Sequence, residues 1–149
     1  MKILALDQST ISSGYSIWNE KGTLLKSGVI KAKDIKEMYF SLLELIKEIK
    51  PKKVIIEDIY YSPKTVNNFK PLARLQGLIM SICYQKKIDL IIITANEWKK
   101  AFGIKQGKTK RNEQKQECKL IVEEKFGIKV GTDESDAIGI GSWYFTSRE

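Results

Sequence analysis

The sequence contains no histidine, and this absence excludes several kinds of chemistry. Ser-His-Asp and Cys-His catalysis, zinc sites with histidine ligands and proton shuttles through imidazole all need that side chain. The two cysteines, Cys83 and Cys118, are far apart and form no C-x-x-C pair, so we interpret them as reduced structural thiols rather than as a zinc cluster or a disulfide framework. Any acid/base or metal chemistry must therefore use carboxylates, lysines or tyrosines.

Long apolar runs, repeats and low-complexity segments are also missing. The first apolar run, residues 3–6, ends at a carboxylate and is too short for a signal peptide, and no segment approaches the length of a membrane span. We therefore expect a cytoplasmic protein without membrane contact. A length of 149 residues with only three prolines and no linker predicts one domain over residues 1–149.

Basic residues are in excess. The chain has 26 Lys and Arg against 18 Asp and Glu, a net charge of +8. In a domain of this kind such a balance indicates nucleic acid first and acidic partners second.

The apolar pattern predicts five strands and five helices. A short turn makes the second and third strands an antiparallel hairpin, and the last two strands are β-branched runs joined by a helix, which predicts a parallel pair. Residues at spacings of three and four mark the helices, and a capping box opens the third of them at Thr94. The predicted strands are residues 2–6, 15–18, 23–30, 53–57 and 89–93, and the predicted helices are residues 34–50, 71–87, 94 to about 103, 111–126 and 133 to about 147.

Four acidic residues stand at the ends of these predicted elements. Asp7 ends the first strand and Glu57 the fourth, and Asp133 and Asp136 lie three apart at the start of the last helix. Ligands of mixed α/β sheets bind beyond the carboxyl ends of parallel strands. The four acids therefore converge if the first and fourth strands are neighbours and the last helix packs against this edge. Taken singly, each acid has a simpler interpretation: Asp7 could start a turn, Glu57 could be a surface charge and Asp133 could be a helix N-cap. We expect the adjacent acids Asp58 and Glu134 to be solvated rather than metal-binding.

Clustered carboxylates repel one another and persist where cations neutralise them. Oxygen ligands without histidine or cysteine favour Mg²⁺ or Mn²⁺. Two such ions activate a water and stabilise the leaving oxygen in phosphodiester hydrolysis, so the pattern predicts a nuclease.

Three blocks of this sequence resemble the RuvC family of Holliday junction resolvases, within the ribonuclease H-like superfamily. They are residues 3–9 with Gly14-Tyr15-Ser16, residues 54–57 and residues 133–140. The resemblance implies a five-stranded mixed sheet, three antiparallel strands then two parallel, flanked by helices. It also implies that Asp7, Glu57, Asp133 and Asp136 bind two metal ions and form the catalytic site. Many bacterial members have Pro-Gly after the first Asp, where this chain has Gln8-Ser9, as in phage-type members.

The same resemblance implies DNA contacts. Tyr60 resembles the aromatic residue that such enzymes stack on a base at the junction centre, although Tyr61 makes the assignment ambiguous. Trp98 resembles a recurring family element, and we interpret it as a buried anchor. Residues 105–115 hold five basic residues against one acid. We expect DNA binding from this run and transition-state stabilisation from its last lysine; its basic residues are Lys105, Lys108, Lys110, Arg111 and Lys115.

The resulting hypothesis is a metal-dependent endonuclease that acts on four-way or other branched DNA, and the resemblance implies a homodimer through the helix over residues 71–87. The alternatives are a ribonuclease H or YqgF-like RNA-processing nuclease and a catalytically silent DNA-binding module. An actin-like sugar kinase shares the acidic first strand but needs two such domains.

Overall fold

The computed structural model describes residues 1–107 and 110–146, with only the backbone of Thr65. The predicted contact Lys108 and the predicted helix end at Ser147 therefore lie outside the described residues. No helix in the described ranges is long and apolar enough to cross a membrane.

Five strands form one mixed sheet in the order β3-β2-β1-β4-β5. As the sequence predicts, the first three strands pair antiparallel and β4 pairs parallel with β5; β4 also pairs parallel with β1. Their bounds are β1 Lys2–Asp7, β2 Ser12–Asn19, β3 Leu24–Lys31, β4 Lys53–Glu57 and β5 Asp89–Ile93.

Helices cover both faces of this sheet, because its central strands are apolar on both sides. Alternate residues of β1 enter different cores: Leu4 and Leu6 pack with the first two helices, and Ile3 and Ala5 pack with the last three. The helices are α1 Ile35–Ile49, α2 Val66–Gln85, α3 Ala95–Phe102, α4 Arg111–Phe126 and α5 Thr132–Thr146.

The predicted start of α2 is wrong, and α5 starts one residue earlier than predicted. Helix α2 begins at Val66, not at Pro71, because a 3-10 turn over Pro63–Thr65 leads into it, with the Ser62 hydroxyl accepting from the Lys64 N–H. Pro71 lies inside the helix, where it removes one backbone hydrogen bond. Helix α5 begins at Thr132, so Asp133 belongs to its first turn and is not its N-cap. The capping box at Thr94 is confirmed, with Glu97 as its second member.

Candidate active site

The alternation of side chains along the strands sends Asp7 and Glu57 to the same face of the sheet. Strands β1 and β4 pair in parallel up to Leu6 and Ile56, and each ends one residue later at its carboxylate. Side chains two residues apart in a strand lie on the same face, so Asp7 shares a face with Ala5, and Glu57 shares a face with Ile55. Ala5 and Ile55 pack on the side of α3, α4 and α5. The two acids therefore leave neighbouring strands toward α5.

Helix α5 can pack close to this edge because β2 has a glycine, and so no side chain, at the point of contact. Gly14 pairs with Asp7 in the sheet, and a Cβ at Gly14 would collide with the backbone carbonyl of Asp133. The Ser16 hydroxyl donates to the Ala137 carbonyl at 2.7 Å and fixes the next turn of α5 to the same strand. Close packing on β2 thus determines where the acids of α5 lie.

All four predicted acids line one cavity at the carboxyl ends of β1 and β4. Asp7 and Glu57 come from the strands, and Asp133 and Asp136 from the first turns of α5. Asp58 is exposed, as expected. Glu134 is half-buried and accepts a 2.6 Å hydrogen bond from the Ser27 hydroxyl, so the expectation that it is solvated is wrong.

Protein donors hold two of these carboxylates in place. The indole N–H of Trp98 donates to Oε1 of Glu57 at 2.6 Å, and the Ser12 hydroxyl donates to Oδ2 of Asp133 at 2.7 Å. Each bond engages one carboxylate oxygen. Within residues 1–107 and 110–146, no three acidic or cysteine side chains already enclose a point where a metal ion would sit.

Burial and mutual repulsion act together on Asp7. Burial is the larger cause, and the carboxylates of Asp136, Glu57 and Asp133 add to it, so that the pKa of Asp7 lies well above its usual value. Lys115 opposes this effect only in part. The pKa of Asp136 is raised to about 6, mainly by burial, and again Lys115 opposes the shift. The site is therefore a buried cluster of negative charge that the protein's own cations do not neutralise.

Cys118 lies beneath this cluster. It is buried, forms no disulfide, and donates to the Ser135 carbonyl at 3.4 Å. Burial, followed by the charge of Asp136, raises the pKa of the Cys118 thiol. Cys83 is also a buried free thiol, and burial raises its pKa to about 11. Both cysteines are thus buried free thiols.

Gln8 holds an unpaired oxygen at the cavity wall. Its amide nitrogen donates to the Glu57 carbonyl at 3.1 Å and to Oε1 of Gln76 at 3.0 Å. Its Oε1 is buried and has no hydrogen-bond partner among the described residues. A buried acceptor left unpaired costs about 1–3 kcal/mol, so this oxygen is suited to accept from a donor or to bind a cation.

Basic side chains also line the cavity. Lys115 and Arg111 line it, and so does Lys99, which donates to Gln114 at 3.2 Å. Lys105 and Lys110 are exposed and do not line it. The positive wall is thus the start of α4 together with Lys99 of α3, rather than the whole run of residues 105–115.

The two neighbouring tyrosines beside the site, Tyr60 and Tyr61, differ in packing and exposure. Tyr61 packs edge to face on Phe69, with ring centroids 5.2 Å apart. Tyr60 is 83% exposed and lines the open extension of the cavity beyond Asp58. Of the two, Tyr60 presents a free ring face to a ligand.

Sequence reasoning missed several residues of the site. Gln8, Ser12 and Lys99 carry no signal beyond their residue type, because their roles depend on which strand ends and helix turns meet. The sequence indicates Trp98 only as an anchor. It is buried, as expected, yet its N–H also holds Glu57.

Comparison with known proteins identifies the family. The model of the family described as crossover junction endodeoxyribonuclease RuvC matches residues 3–141. The chain belongs to the RuvC family. A curated RuvC of Chlorobium phaeovibrioides, described as a crossover junction endodeoxyribonuclease, is 27% identical over 121 residues, which cover 74% of this chain and 64% of that protein. The matched part therefore spans less than two thirds of that relative.

Solved structures show the same fold. Thermus thermophilus RuvC, solved in complex with a Holliday junction substrate, has a TM-score of 0.78 at 14% identity, over 99% of this chain and 94% of that one. The Fowlpox virus resolvase, solved with Holliday junction DNA, has a TM-score of 0.69 at 16% identity over 99% of both chains. The yeast mitochondrial resolvase Ydc2 has a TM-score of 0.64 at 14% identity, over 97% of this chain and 77% of that one. The ribonuclease H-like fold is thus confirmed.

Proposed function

We propose that this protein is a metal-dependent endonuclease that cleaves branched DNA, chiefly four-way junctions. The observation that carries the proposal is the convergence of Asp7, Glu57, Asp133 and Asp136 on one cavity, with Asp7 buried among the other three. A protein keeps such a repulsive cluster when cations bind it. Membership of the RuvC family supports the choice of branched DNA as substrate.

The donor set of the cavity suits Mg²⁺ or Mn²⁺. All four acids offer oxygen ligands, and the bonds from Trp98 and Ser12 leave the second oxygen of Glu57 and of Asp133 available. The unpaired Oε1 of Gln8 adds a neutral oxygen at the same wall. Two bound ions would supply an activated water and charge neutralisation at the leaving oxygen.

The protein's own residues position the substrate in this proposal. Lys115 lines the cavity, and its charge acts on Asp7 and Asp136; its ammonium would stabilise the charge that develops on the scissile phosphate. Arg111 would bind the neighbouring phosphate. Lys105 and Lys110 would contact the backbone further out, and the exposed ring of Tyr60 would stack on a base at the branch point. Lys108 stays a DNA contact predicted from the sequence.

We also propose that the protein acts as a homodimer through α2, because symmetric cleavage of a junction needs two active sites. Tyr84 and Val66 of this helix are 65% and 39% exposed. Sedimentation equilibrium should give a dimer, and Tyr84→Glu should give a monomer. A monomeric parent protein would contradict this part of the proposal.

The proposed compartment is the cytoplasm, where the free thiols of Cys83 and Cys118 stay reduced.

The test of the function is a cleavage assay on four labelled substrates. The purified protein is incubated with Mg²⁺ or Mn²⁺ and a four-way junction, a Y-fork, a linear duplex or an RNA/DNA hybrid. We expect paired, symmetric nicks in the junction that disappear in EDTA. Asp7→Asn should lower the cleavage rate by more than about a hundredfold while junction binding is retained.

Other outcomes assign the protein differently. Cleavage of the hybrid alone would make it a ribonuclease H. Tight junction binding without any cleavage would make it a silent binding module. Wild-type cleavage by the Asp7→Asn variant would remove the four acids from the mechanism.

A further inference from the structure

The amino ends of the parallel strands form a second charged surface, far from the carboxyl ends that carry the four acids. An open groove lies where α1 and α2 end and where β4 and β5 begin. Among the described residues, Asp89 is the one acid that lines it. We call it the lysine groove, after the six lysines in its lining: Lys47, Lys50, Lys52, Lys53, Lys86 and Lys87.

The lysine groove is rigid at the backbone. The Lys52 N–H donates to the Lys2 carbonyl at 2.9 Å, and the Asp89 N–H donates to the Lys52 carbonyl at 3.1 Å. The N–H of the residue after Lys87 donates a 2.8 Å hydrogen bond to a backbone carbonyl near the end of α2. The lysines are therefore displayed from fixed positions, although most of their side chains are exposed.

Two of these lysines have a backbone conformation that favours glycine. Lys50 has φ 53° and Lys87 has φ 58°, and in the described chain they are the only residues other than glycine with positive φ. Each ends a helix, where the left-handed position is most often glycine. Of the four glycines with positive φ in the same part of the chain, none lines this groove. Both strained positions are thus lysines on one surface, which points to a use for their charge.

We propose that the lysine groove is a second binding surface for the phosphate backbone of duplex DNA, separate from the catalytic cavity. Six lysines gathered in one open groove match the repeated negative charges of a polyanion. As far as the structure describes it, the groove lining contains no aromatic residue, and of its four apolar residues Ile46 and Pro51 are buried, Ile88 is half-buried and only Met1 is exposed. Anionic membranes and protein partners are usually engaged through several exposed aromatic or large apolar anchors. Lysines recognise phosphate without base readout, so the binding is independent of sequence.

The test measures binding of a fluorescent linear duplex in EDTA, and therefore does not depend on the proposed nuclease activity. A variant carrying Lys50→Gln, Lys52→Gln, Lys86→Gln and Lys87→Gln is compared with an equally neutralised control, Lys21→Gln, Lys26→Gln, Lys36→Gln and Lys129→Gln. We expect the groove variant to bind about tenfold or more weakly, and the slope of log Kd against log salt to fall by about one for each phosphate that the groove no longer binds. The affinity of the control should fall much less.

A second variant separates a DNA contact from a purely structural role. Lys50→Gly with Lys87→Gly relieves the left-handed backbone and removes two charges at once. We expect its thermal unfolding temperature to rise while its affinity for the duplex falls. Equal weakening of the groove and control variants would overturn the proposal, as would an affinity unchanged in the glycine variant. Weaker binding confined to anionic phospholipid vesicles, with duplex binding intact, would also overturn it.

Discussion

The two ends of the central strands carry charge of opposite sign in very different settings. At the carboxyl ends, four acids meet in a cavity where burial and repulsion raise the pKa of Asp7 and of Asp136. At the amino ends, six lysines line an open groove. Two of them have a salt-bridge partner among the described residues: Lys53 lies 3.1 Å from Asp89, and Lys47 lies 4.0 Å from Glu44.

The difference lies in how water reaches each set of charges. The exposed lysines remain hydrated, so their mutual repulsion is weak and screened by salt. The acids have lost much of their water, so the folded chain stores unfavourable energy that a bound cation or a proton relieves. Substitutions should therefore have large effects at the acidic end and small ones at the lysine groove.

The largest effect is expected from Gly14→Ala. The new Cβ would collide with the backbone of Asp133, so α5 must move away from β2 and carry its acids with it. We expect a loss of about 3 kcal/mol in the free energy of unfolding and loss of metal-dependent cleavage, measured by denaturant unfolding and by the junction assay. Gly77→Ala is the control: it lies on an exposed helical turn with nothing within 4 Å, and should gain up to about 1 kcal/mol. Similar changes in both variants would refute the packing argument.

Asp7→Asn should stabilise the metal-free protein while abolishing cleavage. The change removes a charge that burial and three neighbouring acids disfavour. We expect a higher unfolding temperature in EDTA, by about 2–4 °C for each kcal/mol of repulsion relieved. Mg²⁺ or Mn²⁺ should raise the unfolding temperature of the wild type, and this gain should disappear in the variant. A variant less stable than wild type in EDTA would show that Asp7 is not under electrostatic strain.

The pH dependence of stability should report the same strain. The pKa of Asp136 is raised from its ordinary value of 3.8 to about 6 in the folded chain. Protonation of Asp136 therefore stabilises the fold fully below pH 3.8, and this stabilisation is lost as the pH rises through 6. The slope from one such group is at most about 1.4 kcal/mol per pH unit. In EDTA, the difference in unfolding free energy between wild type and Asp136→Asn should therefore change between pH 4 and pH 7. The wild type should become less stable relative to the variant as the pH rises. A constant difference would contradict the shift.

Trp98→Phe should weaken cation binding more than it weakens the fold. Phenylalanine keeps a ring against Gly139 but loses the 2.6 Å bond to Glu57. We expect Mn²⁺ affinity, measured by calorimetry, to fall about tenfold. Trp18→Phe is the comparison variant, since it loses a buried 2.8 Å indole bond to Ser16, a residue that bonds the backbone of α5 and no carboxylate. Equal losses of Mn²⁺ affinity in both variants would exclude a positioning role for Trp98.

The smallest effect is expected from Lys53→Gln in the lysine groove. Its ion pair with Asp89 has one partner that is 72% exposed. Such pairs contribute less than about 1 kcal/mol, and the contribution falls with salt. Urea unfolding at low and high salt should show a small loss that shrinks as salt rises. A loss of several kcal/mol that is insensitive to salt would show that the lysine end is also a buried site.

The sequence predicted the parts of the site that depend on local pattern. Alternation and β-branched runs located β1 and β4, and their terminal charges identified Asp7 and Glu57. The helical pattern missed the start of α2, because Pro71 resembles a first-turn proline while a capped 3-10 turn begins the helix earlier. It also assigned no role to Gln8 or Lys99, because neither lies in a periodic pattern.

The sequence by itself determined the order of elements, the family blocks and the identity of the four acids, because these follow from residue types at short spacings. Only the tertiary structure decided that α5 packs directly on Gly14, that Trp98 and Ser12 hold the carboxylates, and that six lysines gather at the opposite end of the sheet. Each of these features joins residues that are distant in the chain. Such contacts depend on how strands pair and how helices cross them, and no local pattern encodes that geometry.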